Sequence, residues 1–209
     1  MAMACKWIIG ASAFLDVACE AWRQACPGLQ VERIHVQQDA LYEFDLGVLD
    51  ALSPEKGTAF IAFDERFGNF KRMELMAAAQ VRGLRLDPYI SPRAMLAADV
   101  SVGANTFVAN GVIIGSGSRI DSNCVLLPAT NIGNGVDIQS SCWLEPGVMV
   151  GDGARISARC TLRSGALIAP RIHIGSECEL GWPRRYDTDI AGKTVFDPRY
   201  DEPIRTYGS

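Results

Sequence analysis

From Ile90 onward the chain places one large aliphatic residue at every sixth position. The series runs through Leu96, Val102, Val108, Ile114, Ile120 and Leu126 to Leu180, sixteen positions in a row, and every one is Ile, Leu or Val. Four residues after each comes a small or β-branched side chain, as at Thr106, Cys124, Val136, Cys142, Ala154 and Cys160. A helix of 3.6 residues per turn would scatter such a period around its circumference, whereas hexapeptides stack as a parallel β-helix with three repeats to a coil. Residues 18 apart in the sequence then lie one strand spacing, about 4.8 Å, from each other. Cys124, Cys142, Cys160 and Cys178 obey that spacing and form an inward column of small core side chains, in register with Thr106. A regular stack does not offer the distance and dihedral angle of a disulfide.

The residue before each large aliphatic points outward, so three outward columns can be read. Ser101, Arg119, Asp137, Arg155 and His173 form an alternating-charge ladder, able to pair across strands on a solvated face or in a polar groove. Met95, Ile113, Asn131, Met149 and Leu167 form a second column, and Phe107, Val125, Trp143, Thr161 and Glu179 a third. Two largely apolar outward stripes predict subunit contacts, and a closed homotrimer covers them economically.

Before the repeat, residues 6–86 alternate strand and helix. Lys6 to Gly10 reads as a strand, Phe14 to Ala25 as an amphipathic helix closed by Pro27-Gly28, and Val31 to Gln37 as a second strand. Asp39 to Lys56 is irregular, Ala59 to Phe63 is a buried strand, and Asn69 to Arg82 is a helix stopped by Gly83. The predicted architecture is therefore α/β plus all-β: a small Rossmann-like domain over residues 1–86, a β-helix over 87–181, and a tail over 182–209. The tail breaks the repeat at Gly181-Trp182-Pro183 and reads as a cap or an extended arm, with Arg184 and Arg185 as potential phosphate contacts.

A formal net charge of -4 and a pI near 5.2 argue against nucleic acid as a partner. No apolar run approaches a membrane span, and Met1 to Lys6 lacks the features of a signal peptide, so a cytoplasmic protein is expected. The seven cysteines include no CxxC pair, and the two histidines fall short of the three or so that a zinc hydratase on a similar β-helix needs, so no metal site is expected.

Candidate chemistry is sparse. Gly10-Ala11-Ser12 follows the first strand with one glycine where a dinucleotide fingerprint has three, and it reads either as a ligand turn or as a plain strand-to-helix turn. Asp64 and Arg66 follow the last strand, where ligands bind in open α/β sheets, or else simply begin a solvated helix. His35, on the second strand, is placed for a nucleotide contact.

A short Rossmann-like domain with the Gly10-Ala11-Ser12 turn, the Asp64-x-Arg66 element and a hexapeptide β-helix resembles the sialic acid O-acetyltransferase and UDP-sugar N-acetyltransferase family, over roughly residues 6–180. The resemblance implies a left-handed coil, a homotrimer, and acetyl-CoA as co-substrate along the coils between subunits. It also implies a sugar or nucleotide-sugar acceptor near Gly10, Ser12, Asp64 and Arg66, and a role in surface polysaccharide biosynthesis. Several positions depart from the family pattern. Ala13 and Phe14 stand where a second glycine and often a histidine occur. Aligned on Val150 to Ile156, the catalytic histidine and its following acid are replaced by Pro146 and Gly147, while Glu145 keeps the preceding acid. Proline accepts no proton, so Glu145 and, on the flat charged face, His173 are the remaining candidates for a base. Two functions follow. One is an acyltransferase acting on an amine or hydroxyl of a sugar; the other is a catalytically inactive trimer serving as a binding or scaffolding module.

Overall fold

The computed structural model describes residues 5–206, which divide into two compact units between Tyr89 and Ile90. In the first unit, strand β1 (Cys5–Gly10) is followed by helix α1 (Ala13–Ala25) and strand β2 (Gln30–His35). Strand β3 (Gly57–Ala62) and helix α2 (Phe70–Val81) complete it. The sheet is parallel in the order β2-β1-β3. Its central strand is buried along its whole length, as expected for an apolar run flanked on both sides. Helix α1 buries Phe14, Leu15, Ala18, Cys19 and Trp22, the face that its apolar spacing marks out. Full burial of each large aliphatic side chain stabilises the fold by about 1.5–3 kcal/mol.

The one lysine in the central strand is satisfied. Lys6 Nζ donates to Thr58 Oγ1 (3.0 Å), Ala59 O (3.2 Å) and Asp87 Oδ2 (3.0 Å), and lies 4.1 Å from the Trp22 ring. Burial pushes its pKa down, against the pull of Asp87. The irregular stretch between β2 and β3 contains two short 3₁₀ turns, Leu46–Ala51 and Pro54–Lys56. Helix α2 starts at Phe70 rather than Asn69, because Phe67, Gly68 and Asn69 all take left-handed backbone angles (φ 57°, 58° and 66°). Gly83, at φ 77°, ends the helix in the left-handed conformation a C-terminal glycine supplies.

The second unit is a parallel β-helix of two-residue strands, each paired with the strands 18 residues before and after it. Val125↔Phe107 and Val125↔Trp143 set the register on one face; Asp137↔Arg119 and Asp137↔Arg155 set it on another. The inward aliphatics from Val108 to Leu180 are buried. All seven cysteines are free, and the column Cys124, Cys142, Cys160 and Cys178 lies in the core, each thiol 3.1–3.2 Å from a carbonyl of the next coil. One corner carries a buried polar ladder, in which Asn105 Nδ2 donates to Asn123 Oδ1 (2.8 Å) and Asn123 Nδ2 to Ser141 Oγ (2.9 Å). These residues stand at φ 56–62°, and asparagine is among the residues that tolerate that region best.

The third outward column differs from expectation. Phe107, Val125, Trp143 and Thr161 point away from the coil axis yet are only 1–6% exposed, so the single chain already covers them. The expectation of two exposed apolar faces is corrected to one, the column in which Met95 is 59% and Met149 48% exposed. The tail continues the winding. Arg185–Tyr186 pairs with Leu167–Ile168, Thr194–Phe196 with Glu179–Leu180, and Ile204–Arg205 folds back antiparallel on Thr194 and Val195. Among the described residues no helix is long and apolar enough to cross a membrane.

Candidate functional site

Three places carry the residues singled out from the sequence. The first is the carboxyl edge of the α/β sheet. Gly10, His35 and Ala62 end the three strands in register, with Ser12, Asp64 and Arg66 in the loops that follow. Gly10 is required there by close approach, since a Cβ would fall 1.8 Å from Ala62 O. His35 is exposed. Ser12 caps α1 by position (φ −111°, ψ 176°), but its side chain makes no cap, and its buried Oγ has no partner among the described residues. Asp64 and Arg66 are joined: Arg66 Nε donates to both carboxylate oxygens at 2.9 and 2.8 Å, and its backbone N–H to one of them at 3.2 Å. That hydrogen bond raises the arginine pKa further.

Other residues at this edge went unnoticed in the sequence. Tyr42, itself at φ 64°, packs against Phe67 with ring centroids 4.9 Å apart and planes tilted by 54°, and both are about half exposed. Fully buried Arg72 donates to Asp64 O (3.3 Å), bracing the loop from inside. The Gly68-Asn69 pair signals the turn, but nothing local in the sequence brings Tyr42 to it. A hollow of about 910 Å³ opens at the opposite edge, beside Trp7, Trp22, Leu29 and Thr58, away from the residues expected to bind a ligand.

The second place is the coil corner Glu145-Pro146-Gly147. Gly147 sits at φ 74°, and a Cβ there would meet nothing within 4 Å, so the corner is open. Glu145 is engaged on both oxygens. Oε1 accepts from Arg163 Nη1 (2.8 Å) and Oε2 from the Ser164 N–H (2.8 Å), while Arg163 Nε donates to Glu179 Oε1 (2.8 Å). Partial burial opposes ionisation of Glu145, yet Arg163 and Ser164 together hold its carboxyl below the ordinary value near 4.5.

The third place is the charged face. Asp137 stands in register between Arg119 and Arg155 but forms no ion pair with either among the described residues. His173 stacks in register on Arg155, and its Nε2 lies 3.0 Å from Ser157 Oγ. The tail pins its backbone: His173 N–H donates to Asp189 Oδ1 (2.8 Å) and Ile190 N–H to His173 O (2.9 Å). Glu145 and His173 thus belong to different sides of the coil. Among the described residues no group of three His, Cys, Asp or Glu is placed to hold a metal ion.

No family model and no curated protein sequence matches the chain. Solved structures do match in fold. The acetyltransferase domain of PglB from Neisseria gonorrhoeae, solved with acetyl coenzyme A, is 20% identical, with a TM-score of 0.82 over 97% of this chain and 100% of that one. PerB from Caulobacter crescentus, solved with CoA and GDP-perosamine, is 24% identical, with a TM-score of 0.81 over 93% of this chain and 94% of its own. WeeI from Acinetobacter baumannii is 15% identical, with a TM-score of 0.73 over 97% and 100%. At these identities the likeness establishes architecture: the chain has the fold of these proteins, a small α/β unit followed by a left-handed parallel β-helix.

Proposed function

We propose that the protein is an acyltransferase that moves an acetyl group from acetyl-CoA to an amine on a sugar or nucleotide sugar. The observation that carries this reading is the match in fold over nearly the whole chain to a PglB acetyltransferase domain solved with acetyl coenzyme A and to PerB solved with CoA and GDP-perosamine. The carboxyl edge of the α/β sheet supports it. There the unpartnered Ser12 hydroxyl and the N-terminus of α1 suit the diphosphate of a nucleotide, with Gly10, His35, Asp64 and Arg66 around it.

The corner chemistry favours an amine over a hydroxyl. Pro146 offers no proton acceptor, and the lowered pKa of Glu145 makes it a weak base; we assign it to fixing Arg163. His173, on another side of the coil, does not share its substrate within one chain. A neutral amine attacks the thioester carbonyl unaided: the C–N bond forms, the C–S bond breaks, and the proton leaves with the thiolate. A hydroxyl would need its proton removed first. Rate then comes chiefly from positioning two bound substrates, which can replace several kcal/mol of barrier. On this reading the exposed Met95, Ile113 and Met149 column joins subunits of a homotrimer, with the acyl donor between them. We assign this activity to the cytoplasm, where acetyl-CoA is at hand, and to surface polysaccharide biosynthesis. Release of free thiol from acetyl-CoA on addition of amino-sugar nucleotides tests the reading. Thiol release with an amino sugar and none with its hydroxyl counterpart is expected; equal rates with both would contradict the amine assignment.

A further inference from the structure

The charged face of the β-helix holds a groove of about 550 Å³ that none of the chemistry above uses. Arg155, Arg171, His173 and Ser157 line it, with Asp137 and Gln139 at its side. Arg155 and His173 are stacked in register on neighbouring strands, one coil spacing apart. Neither guanidinium, Arg155 or Arg171, makes an ion pair or side-chain hydrogen bond among the described residues. Asp137 is the one acid lining the groove, and it is flanked in register by Arg119 on its far side. Asp152 Oδ1, next to Gly153, is taken up by the Asn134 N–H (2.7 Å), whereas Asp189 Oδ1 accepts from the His173 N–H (2.8 Å) and places a second acid beside the groove.

Arg171 takes the left-handed corner conformation that Arg159, Glu177 and Lys193 also adopt in this coil. It stands at a corner where the three preceding coils have Gly117, Gly135 and Gly153, and it adopts φ 63°, a region that disfavours a long side chain. Its stem folds back over the coil below, because a Cβ on Gly153 would come to 3.3 Å from Arg171 Cγ. The glycine in the lower coil thus makes room for the Arg171 stem beside two further cation-capable groups, Arg155 and His173.

We propose that this groove binds a phosphate or diphosphate group, with Arg155 and Arg171 as charge-assisted donors and Ser157 and His173 completing the ring of hydrogen bonds. Such a group belongs to the acyl donor or to a sugar nucleotide. The probe is inorganic pyrophosphate, titrated into the full chain by calorimetry at low salt. Saturable binding that weakens as salt rises is expected, and Arg171→Gln and Arg155→Gln should each weaken it about tenfold. Arg119→Gln, beyond Asp137, should leave the affinity unchanged. A readout that needs no variant is the proton NMR signal of the His173 ring, which should shift on titration whether or not that of His35, beside the proposed nucleotide site, shifts as well. Stronger binding of adenosine 3′,5′-bisphosphate than of a nucleoside diphosphate assigns the groove to the acyl donor, and the reverse order to the sugar nucleotide; both support the site. Absence of saturable binding, unchanged affinity in both arginine variants, or movement of the His35 signal alone overturns it. None of these outcomes depends on acyl transfer, so the groove and the proposed activity stand or fall separately.

Discussion

On the proposed reading, replacing Pro146 by histidine supplies a proton acceptor at the open corner and measures what a base there contributes. Pro146 is exposed, its neighbour Gly147 leaves the space beside it empty, and Glu145 is already held by Arg163 and Ser164, so the new ring enters without displacing a packed group. Losing the proline restriction on the unfolded chain lowers stability by about 0.4–1 kcal/mol. For a chain of this size that is a fall in Tm of about 1–4 °C. General-base catalysis contributes typically about 10²–10⁴-fold, and the lower figure applies here because the following acid is also absent at Gly147. Pro146→His should therefore raise thiol release with a hydroxyl acceptor about a hundredfold, with much less gain for an amine that arrives neutral. The new rate should rise with pH through the range of an ordinary imidazole, near about 6.5. A continuous thiol assay with both acceptors, across pH, reads this directly. A folded variant that binds acetyl-CoA like the parent, yet shows no gain with the hydroxyl acceptor, would refute the assignment of this corner to the acyl-transfer chemistry.

Other consequences can be checked with simpler means. Glu145→Gln should lower stability by about 1 kcal/mol at neutral pH by breaking the contacts to Arg163 and Ser164. Because the folded-state pKa of Glu145 lies below its unfolded value, that contribution is present above about pH 4.5 and is lost as pH falls through the folded pKa. The melting temperatures of parent and variant should converge as the medium is acidified; a gap that does not narrow with falling pH would rule out this origin. A thiol reagent should find Cys26 at once in the native protein and the other six cysteines only slowly, since Cys26 alone among the seven is not buried. Burial also lifts the Cys5 thiol to about 11, slowing it further. Fast labelling of several cysteines in the native state would contradict the dry core column.

The coil could be read from the sequence because its evidence is redundant: sixteen aliphatic positions and four cysteines repeat one spacing, so no single residue decides the register. The tail could not, for a geometric reason. Ile168 and Tyr186 still pair 18 residues apart, but the spacing then shortens to 16 between Ile174 and Ile190 and between Leu180 and Phe196, which removes the periodic signal while the winding goes on. The third outward column shows a second limit. Alternation tells which way Trp143 points but not whether the folded chain leaves it exposed, and it is only 6% exposed. At the candidate sites the residue types were visible and their partners were not. Asp64 and Arg66 are two residues apart and could be paired by inspection, whereas Glu145 meets Arg163 only through the coil, and that contact converts a candidate base into a carboxylate held in its ionised form.

The central claim is that this fold serves acyl transfer, and binding of the acyl donor tests it most directly. Acetyl-CoA titrated into the purified chain by calorimetry should give saturable binding at up to one site per subunit, competed by free CoA. No heat at millimolar donor would contradict the account and leave the β-helix as a scaffold that keeps the architecture of an acetyltransferase without its substrate.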